Sequence, residues 1–105
     1  MAFQLRTYDI KPGAMDDWLI LFNEKVVPLH AKYGIPVRAA WIDRETSTFI
    51  WVREFVGVGT AQEQEMRYRA SEERTRLIGD EPKKFIENMA VREVEPAFAA
   101  PDTNY

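Results

Sequence analysis

The sequence contains no cysteine and a single histidine, His30. Without thiols the chain forms no disulfide, has no thiolate nucleophile and offers no sulfur ligand to a metal, while one imidazole rules out a multi-histidine centre within one chain. Only a carboxylate-rich site for a hard cation passes that filter; no metal site is assigned and no cofactor is called for. Basic residues are also short: 14 Lys and Arg stand against 17 Asp and Glu, with no basic run, for a net charge of −3. The electrostatic footprint that binding to a phosphate backbone demands is missing, which argues against nucleic acid. No apolar run approaches the ~18 residues of a spanning helix, and MAFQLRTYDI at the start has no basic segment leading into an apolar one. The expectation is a cytoplasmic protein with no membrane partner.

What is present describes one globular domain, residues 1–105. With 46% hydrophobic and 30% charged residues, the composition is neither disordered nor membrane-like. No repeat or linker divides the chain. Its length limits the core, because a domain this small buries only roughly two-thirds of its unfolded surface.

Residues 3–10, FQLRTYDI, place Phe3 and Leu5 on one side and Gln4, Arg6 and Tyr8 on the other, the period of a strand with one apolar face. Lys11-Pro12-Gly13 then turns the chain. From Ala14 to Tyr33, Met15, Trp18, Leu19, Phe22, Val26, Leu29 and Tyr33 recur at three- and four-residue steps, which predicts a first helix. Asp16 and Asp17 suit its positive end and Lys32 its negative end. Gly34, Ile35 and Pro36 form a Schellman-type stop. Pro28 falls roughly 130° from the apolar stripe, on the solvent side, and predicts a kink there.

VRAAWID (37–43) and TFIWVREF (48–55) predict a hairpin. Two parities are open. If Ala40 opposes Trp51, Arg38 meets Arg53; if Trp41 opposes Trp51, Arg38 meets Glu54. Because like charges directly across a ladder destabilise it, the second is favoured, gathering Trp41, Phe49, Trp51 and Arg53 on one face. Thr60 with Glu63 forms a capping box for a second helix over 61–78, whose Glu63–Arg67, Glu65–Arg69 and Glu72–Arg76 spacings describe a largely solvated surface. Gly79 stops it, Pro82 opens a short helical segment, and Met89–Glu95 reads as a fourth strand. The tail, 97–105, is either a docking arm or loose.

The order strand, helix, strand, strand, helix, strand is that of a ferredoxin-like α+β sandwich: a four-stranded antiparallel sheet with two helices on one face. If the uncovered face carries Tyr8, Trp41, Phe49 and Trp51, it exceeds the apolar patch a soluble monomer tolerates. A homodimer packed through that open face is the expected solution.

Leu5-Arg6-Thr7-Tyr8, Lys11-Pro12-Gly13, Pro28-Leu29-His30 with Gly34, and Ala40-Trp41 together resemble the NIPSNAP family of the dimeric α/β-barrel superfamily. The resemblance covers nearly the whole chain and is most specific over the first ~55 residues. It departs at Asp80-Glu81-Pro82 and Phe85, where the family tends to show Asp-Pro-x-Trp. It implies a barrel formed by two sheets packed face to face, and a role that is largely uncharacterised. Haem-degrading relatives in the superfamily resemble one another in a first-strand asparagine and a histidine from a later helix; Gln4 and a first-helix His30 do not match, which disfavours haem.

Five residues are candidates for a ligand site: Arg6, Tyr8, Trp41, Trp51 and Arg53, projecting into the barrel as an apolar cavity with a few polar groups, suited to an apolar or anionic metabolite. The competing reading pairs Arg6 and Arg53 with Glu93 or Glu95 and fills the barrel with indole. His30 and Tyr8 are the catalytic candidates for an alternative, a cofactor-independent enzyme of monooxygenase, cyclase or isomerase type acting on an activated aromatic or enolic substrate. The plainer reading makes His30 a helix-end residue whose protonated ring favours the dipole. Glu93 and Glu95, two apart on a strand, share a face and could be paired acids.

Overall fold

The computed structural model of the chain describes residues 2–98; most of the 97–105 tail lies outside them. Four strands, β1 (Ala2–Ile10), β2 (Val37–Asp43), β3 (Thr48–Phe55) and β4 (Ile86–Val94), form one antiparallel sheet in the order β2-β3-β1-β4. All helices of the described residues lie between β1 and β2 or between β3 and β4. Both groups pack on the same face, where Trp18 meets Tyr8 and Phe49, and Tyr68 meets His30. This is the ferredoxin-like α+β arrangement, and the sheet of the single chain is open, not closed into a barrel.

The faces of the sheet are the reverse of the sequence expectation. Tyr8, Phe49 and Trp51 lie beneath the helices and are buried within the chain. Phe3, Leu5, Ile50 and Val52 lie half-buried on the uncovered face. Alternation alone defined two sides of β1; it could not tell which side the helices would cover, because an Arg-containing face looks like a solvent face until its buried partners are known.

The hairpin register is also corrected. Ala40 opposes Trp51 and Trp41 opposes Ile50, so Trp41 and Trp51 lie on opposite faces, with Trp41 55% exposed and Trp51 2%. The Arg38–Arg53 opposition that spoke against this parity never arises, because a bulge between Val37 and Ala39 takes Arg38 out of the ladder. Val37 pairs with Arg53, Ala39 with Val52, and Arg38 Nε donates to Glu54 Oε1 at 2.7 Å. The chain avoids the like-charge contact with one extra residue instead of a shift of the whole strand.

The first helix runs as α1 (Met15–Leu21), a π-helical turn (Phe22–Val26) and α2 (Val27–Lys32). Its stop is a Schellman motif: Ile35 N–H donates to His30 O at 2.9 Å, Gly34 N–H to Ala31 O at 3.2 Å, and Gly34 sits at φ +75°. The kink expected at Pro28 takes the form of the π turn just before it, in which Val27 N–H bonds to the carbonyl of Phe22 five residues back. A wider turn gives the pyrrolidine ring room against the preceding carbonyls. It also inserts one residue, so the face that follows lags by roughly 100°, the angle of one helical step. That lag brings His30, which an uninterrupted helix would leave roughly 70° from the centre of the apolar stripe, into the core at 2% exposure.

The second helix is broken in two, α3 (Ala61–Ala70) and α4 (Glu72–Leu77), because Ser71 leaves helical geometry at ψ 141° and caps α4, its hydroxyl accepting from Arg74 N–H at 3.1 Å. The Thr60–Glu63 capping box forms as expected. Of the three charge pairs, Glu65–Arg69 closes at 3.4 Å, whereas Arg67 turns to the Val58 carbonyl. The helix is less solvated than its composition suggests: Gln64 and Tyr68 are buried. Gln64 ties the β3–α3 loop by accepting from Gly57 N–H at 2.7 Å and donating to Gly59 O at 2.9 Å. A 3₁₀ turn (Glu81–Lys84) with Pro82 in its first turn leads into β4, which starts at Ile86, three residues before the expected start.

Candidate functional site

Between the sheet and α3–α4 lies a cavity of about 320 Å³. Strand alternation supplies its floor: Arg6 and Tyr8 from β1, Trp51 and Arg53 from β3, and Met89 from β4 all point to the helix face. The roof is Trp18, Val26 and His30 from the first helix and Tyr68, Arg74 and Ile78 from the second. α4 is fastened over it by Glu73, which accepts from Lys32 Nζ at 2.7 Å and Tyr33 Oη at 3.0 Å and is held below the usual carboxylate range by those bonds.

Four of the five sequence candidates meet here. Arg6, Tyr8, Trp51 and Arg53 line one cavity within a single chain, whereas Trp41 stands on the other face of the sheet. The two catalytic candidates, His30 and Tyr8, line the same cavity.

Arg6 and Arg53 are 5% and 3% exposed, so each charge needs partners inside the fold. Gln4 Oε1 accepts from Arg6 Nη1 at 2.9 Å and from Arg53 Nε and Nη2 at 2.9 and 2.7 Å. The counter-charge is Glu65, not the expected Glu93 or Glu95. Its Oε1 lies 2.6 Å from Arg53 Nη2, 3.4 Å from Arg69 Nε and 4.0 Å from Arg6 Nη1. Partial burial would raise the Glu65 pKa, but Arg53 and the other guanidiniums outweigh it and hold the carboxyl below its ordinary value. Burial, and then the neighbouring Arg6, lower Arg53. Arg6 Nε also donates to the Tyr8 hydroxyl at 2.8 Å.

His30 is buried and neutral. Burial first, and then the Arg53 charge, push its imidazole from 6.5 down to about 3. Its tautomer follows from its neighbours: Arg53 Nη1, 3.0 Å from Nε2, can only donate, so Nε2 is the acceptor and Nδ1 carries the proton, donated to Val26 O at 2.9 Å. This corrects the helix-end reading, in which a protonated ring answers the dipole. With both ring nitrogens engaged, His30 orients Arg53 and has no lone pair left for a substrate proton.

The sequence reading did not single out Trp18, Gln4, Glu65, Tyr68 or Arg74 as site residues. The available signal was Tyr68, the one aromatic residue of an otherwise charged helix, with Gln64 and Ala61 one and two turns before it on the same side. Among the described residues, no three His, Asp or Glu side chains converge to hold a metal, and no helix is long and apolar enough to cross a membrane.

Comparison with solved structures returns this fold repeatedly. An uncharacterised NIPSNAP domain protein from Burkholderia xenovorans is 17% identical, with a TM-score of 0.80 over 97% of this chain and 100% of that one. A NIPSNAP family protein of unknown function from Agrobacterium tumefaciens is 16% identical, with a TM-score of 0.81 over 96% and 92%. An antibiotic biosynthesis monooxygenase is 20% identical, with a TM-score of 0.66 over 92% and 99%. At these identities the likeness is one of fold. No protein of curated function matches. The NIPSNAP family model spans residues 3–98, nearly the whole chain, and the chain belongs to the NIPSNAP family.

Proposed function

We propose that this NIPSNAP protein works as a homodimer that binds a small apolar or anionic metabolite in the cavity between sheet and helices. The observation that carries the ligand reading is the cavity itself: about 320 Å³, at the lower end of the small-molecule range, walled by Tyr8, Trp18, Trp51 and Tyr68 with Arg6 and Arg53 converging on it. On this reading the binding space lies inside each chain, not between two sheets. A thermal-shift ligand screen tests it. Compounds that raise the melting temperature of the wild type, but not of Arg6→Ala or Trp51→Ala, support the reading; a screen without that pattern sinks it.

The uncovered sheet face supports the dimer. Phe3, Leu5, Trp41, Ile50 and Val52 form a contiguous apolar surface across β2, β3 and β1. Soluble monomers rarely leave so broad a patch in water, and a second copy of the same open sheet is a self-complementary cover.

A second reading, cofactor-independent turnover of an activated aromatic or enolic substrate, draws on Tyr8. Its oxygen accepts from Arg6, and among the described residues the hydroxyl donates to no acceptor, which leaves its proton for a group in the cavity. The antibiotic biosynthesis monooxygenase shares the fold. Oxygen uptake with an enolisable aromatic substrate, lost in Tyr8→Phe while binding persists, distinguishes turnover from binding.

A further inference from the structure

We infer that the cavity selects an aromatic ligand carrying a carboxylate, and that Arg74 is the residue that reads its charge. This rests on the cavity being a binding site and specifies the chemical class it takes.

Four guanidiniums line or adjoin the cavity, those of Arg6, Arg53, Arg69 and Arg74. One carboxylate, Glu65, serves the first three. Asp80 on the rim is exposed and turned to Lys83, 3.6 Å away. Arg74 is left over: among the described residues it joins no ion pair, its Nε is buried without a hydrogen-bond partner, and its guanidinium lies 5.7 Å from the Tyr68 ring centroid. In a chain of net charge −3, this surplus of positive charge is a local feature. A half-buried guanidinium with an unused donor is costly in a closed protein unless an anion completes it.

A second donor is underused. Arg6 Nη2 has only the thioether of Met89, at 3.5 Å, a weak acceptor. The planar forks of arginine match the two oxygens of a carboxylate, and the surrounding rings accept a flat apolar body. The Arg53–His30–Val26 chain and the Gln4 bridge hold the remaining cations fixed, so the charge field exists before any ligand arrives.

Titration calorimetry with 2-naphthoate and its uncharged analogue 2-naphthamide tests this. The wild type is expected to bind the acid about tenfold or more tightly than the amide, the discrimination that one hydrogen-bonded charge supplies. Arg74→Gln removes most of that preference while leaving the amide affinity in place, Arg74→Lys retains part of it, and Lys84→Gln, outside the cavity lining and paired with Glu81, changes nothing. Equal affinity for acid and amide overturns the inference and leaves the cavity as a binding site. Persistence of the preference in Arg74→Gln overturns the role of Arg74. Binding of neither compound at millimolar concentration overturns both the inference and the ligand reading. If Arg74→Gln does not fold, the acid-to-amide ratio of the wild type and Arg74→Lys decides.

Discussion

Arg53 Nη1 donates to His30 Nε2 across 3.0 Å, so the one imidazole of the chain is an uncharged acceptor for a buried cation. Its folded pKa, about 3, lies below the unfolded 6.5. The unfolded state therefore binds a proton more readily through this interval. The stability His30 contributes is fully present above pH 6.5 and is lost as pH falls from there toward 3. Between pH 7 and 5 the loss is about 2 kcal/mol. Glu63, Glu65 and Glu73, whose pKa values are lowered from 4.5, act only below that window. Urea unfolding at pH 7, 6 and 5 measures the slope, and His30→Gln, which preserves an acceptor for Arg53, is expected to flatten it.

Removing the charge of Glu65 leaves three guanidiniums facing one another. Glu65→Gln is expected to destabilise the fold by about 2 kcal/mol, below the ~3–5 of a fully buried pair because the Glu65 side chain is 26% exposed. The midpoint of chemical denaturation reads the loss. A variant as stable as the wild type would show that Gln4 alone suffices to hold Arg6 and Arg53.

Gly34 is required twice over. It sits at φ +75° as the residue after the helix, and a Cβ there would lie 3.1 Å from the Cα of Gly57. Gly34→Ala meets both the left-handed backbone and the crossing of two loops, and an expected cost of about 1–3 kcal/mol follows. Gly13, at φ +78° with nothing within 4 Å of its would-be Cβ, is the control, because Gly13→Ala meets the backbone penalty alone.

Trp41 is exposed in the single chain, so replacing it leaves the monomer fold within ~0.5 kcal/mol unless another copy covers it. Trp41→Glu is expected to weaken self-association about tenfold or more. Sedimentation equilibrium over a micromolar dilution series checks this. Unchanged association in the variant, or a monomeric wild type, removes the dimer.

The order of elements, the end of the first helix and the Thr60 cap were readable because each rests on local chemistry: periodicity, a glycine followed by a proline, a T-x-x-E spacing. The side of the sheet was not. Arg6, Tyr8, Trp51 and Arg53 were recognised as a set, yet assigned to the open face, because nothing local to β1 or β3 records that Glu65 and His30, from the two helical segments, will close over the two cations. The hairpin parity failed for a related reason: the repulsion between Arg38 and Arg53 was correctly weighed, but a bulge relieves it at less cost than a shift of the strand. His30 was displaced from its expected position by the π turn, whose extra residue changes the phase of the helix without leaving a mark in the apolar spacing. Arg74 lay hidden in a run of charges, where only the Ser71 break decides which arginine turns inward.

The three tryptophans fall into two compartments, with Trp18 and Trp51 under the helices and Trp41 on the far side of the sheet. The molecule therefore carries its own optical labels. Occupation of the interior perturbs the emission of the two shielded indoles, while covering the outer face shifts that of Trp41 toward the blue, and a Trp41→Phe chain reports on the interior alone.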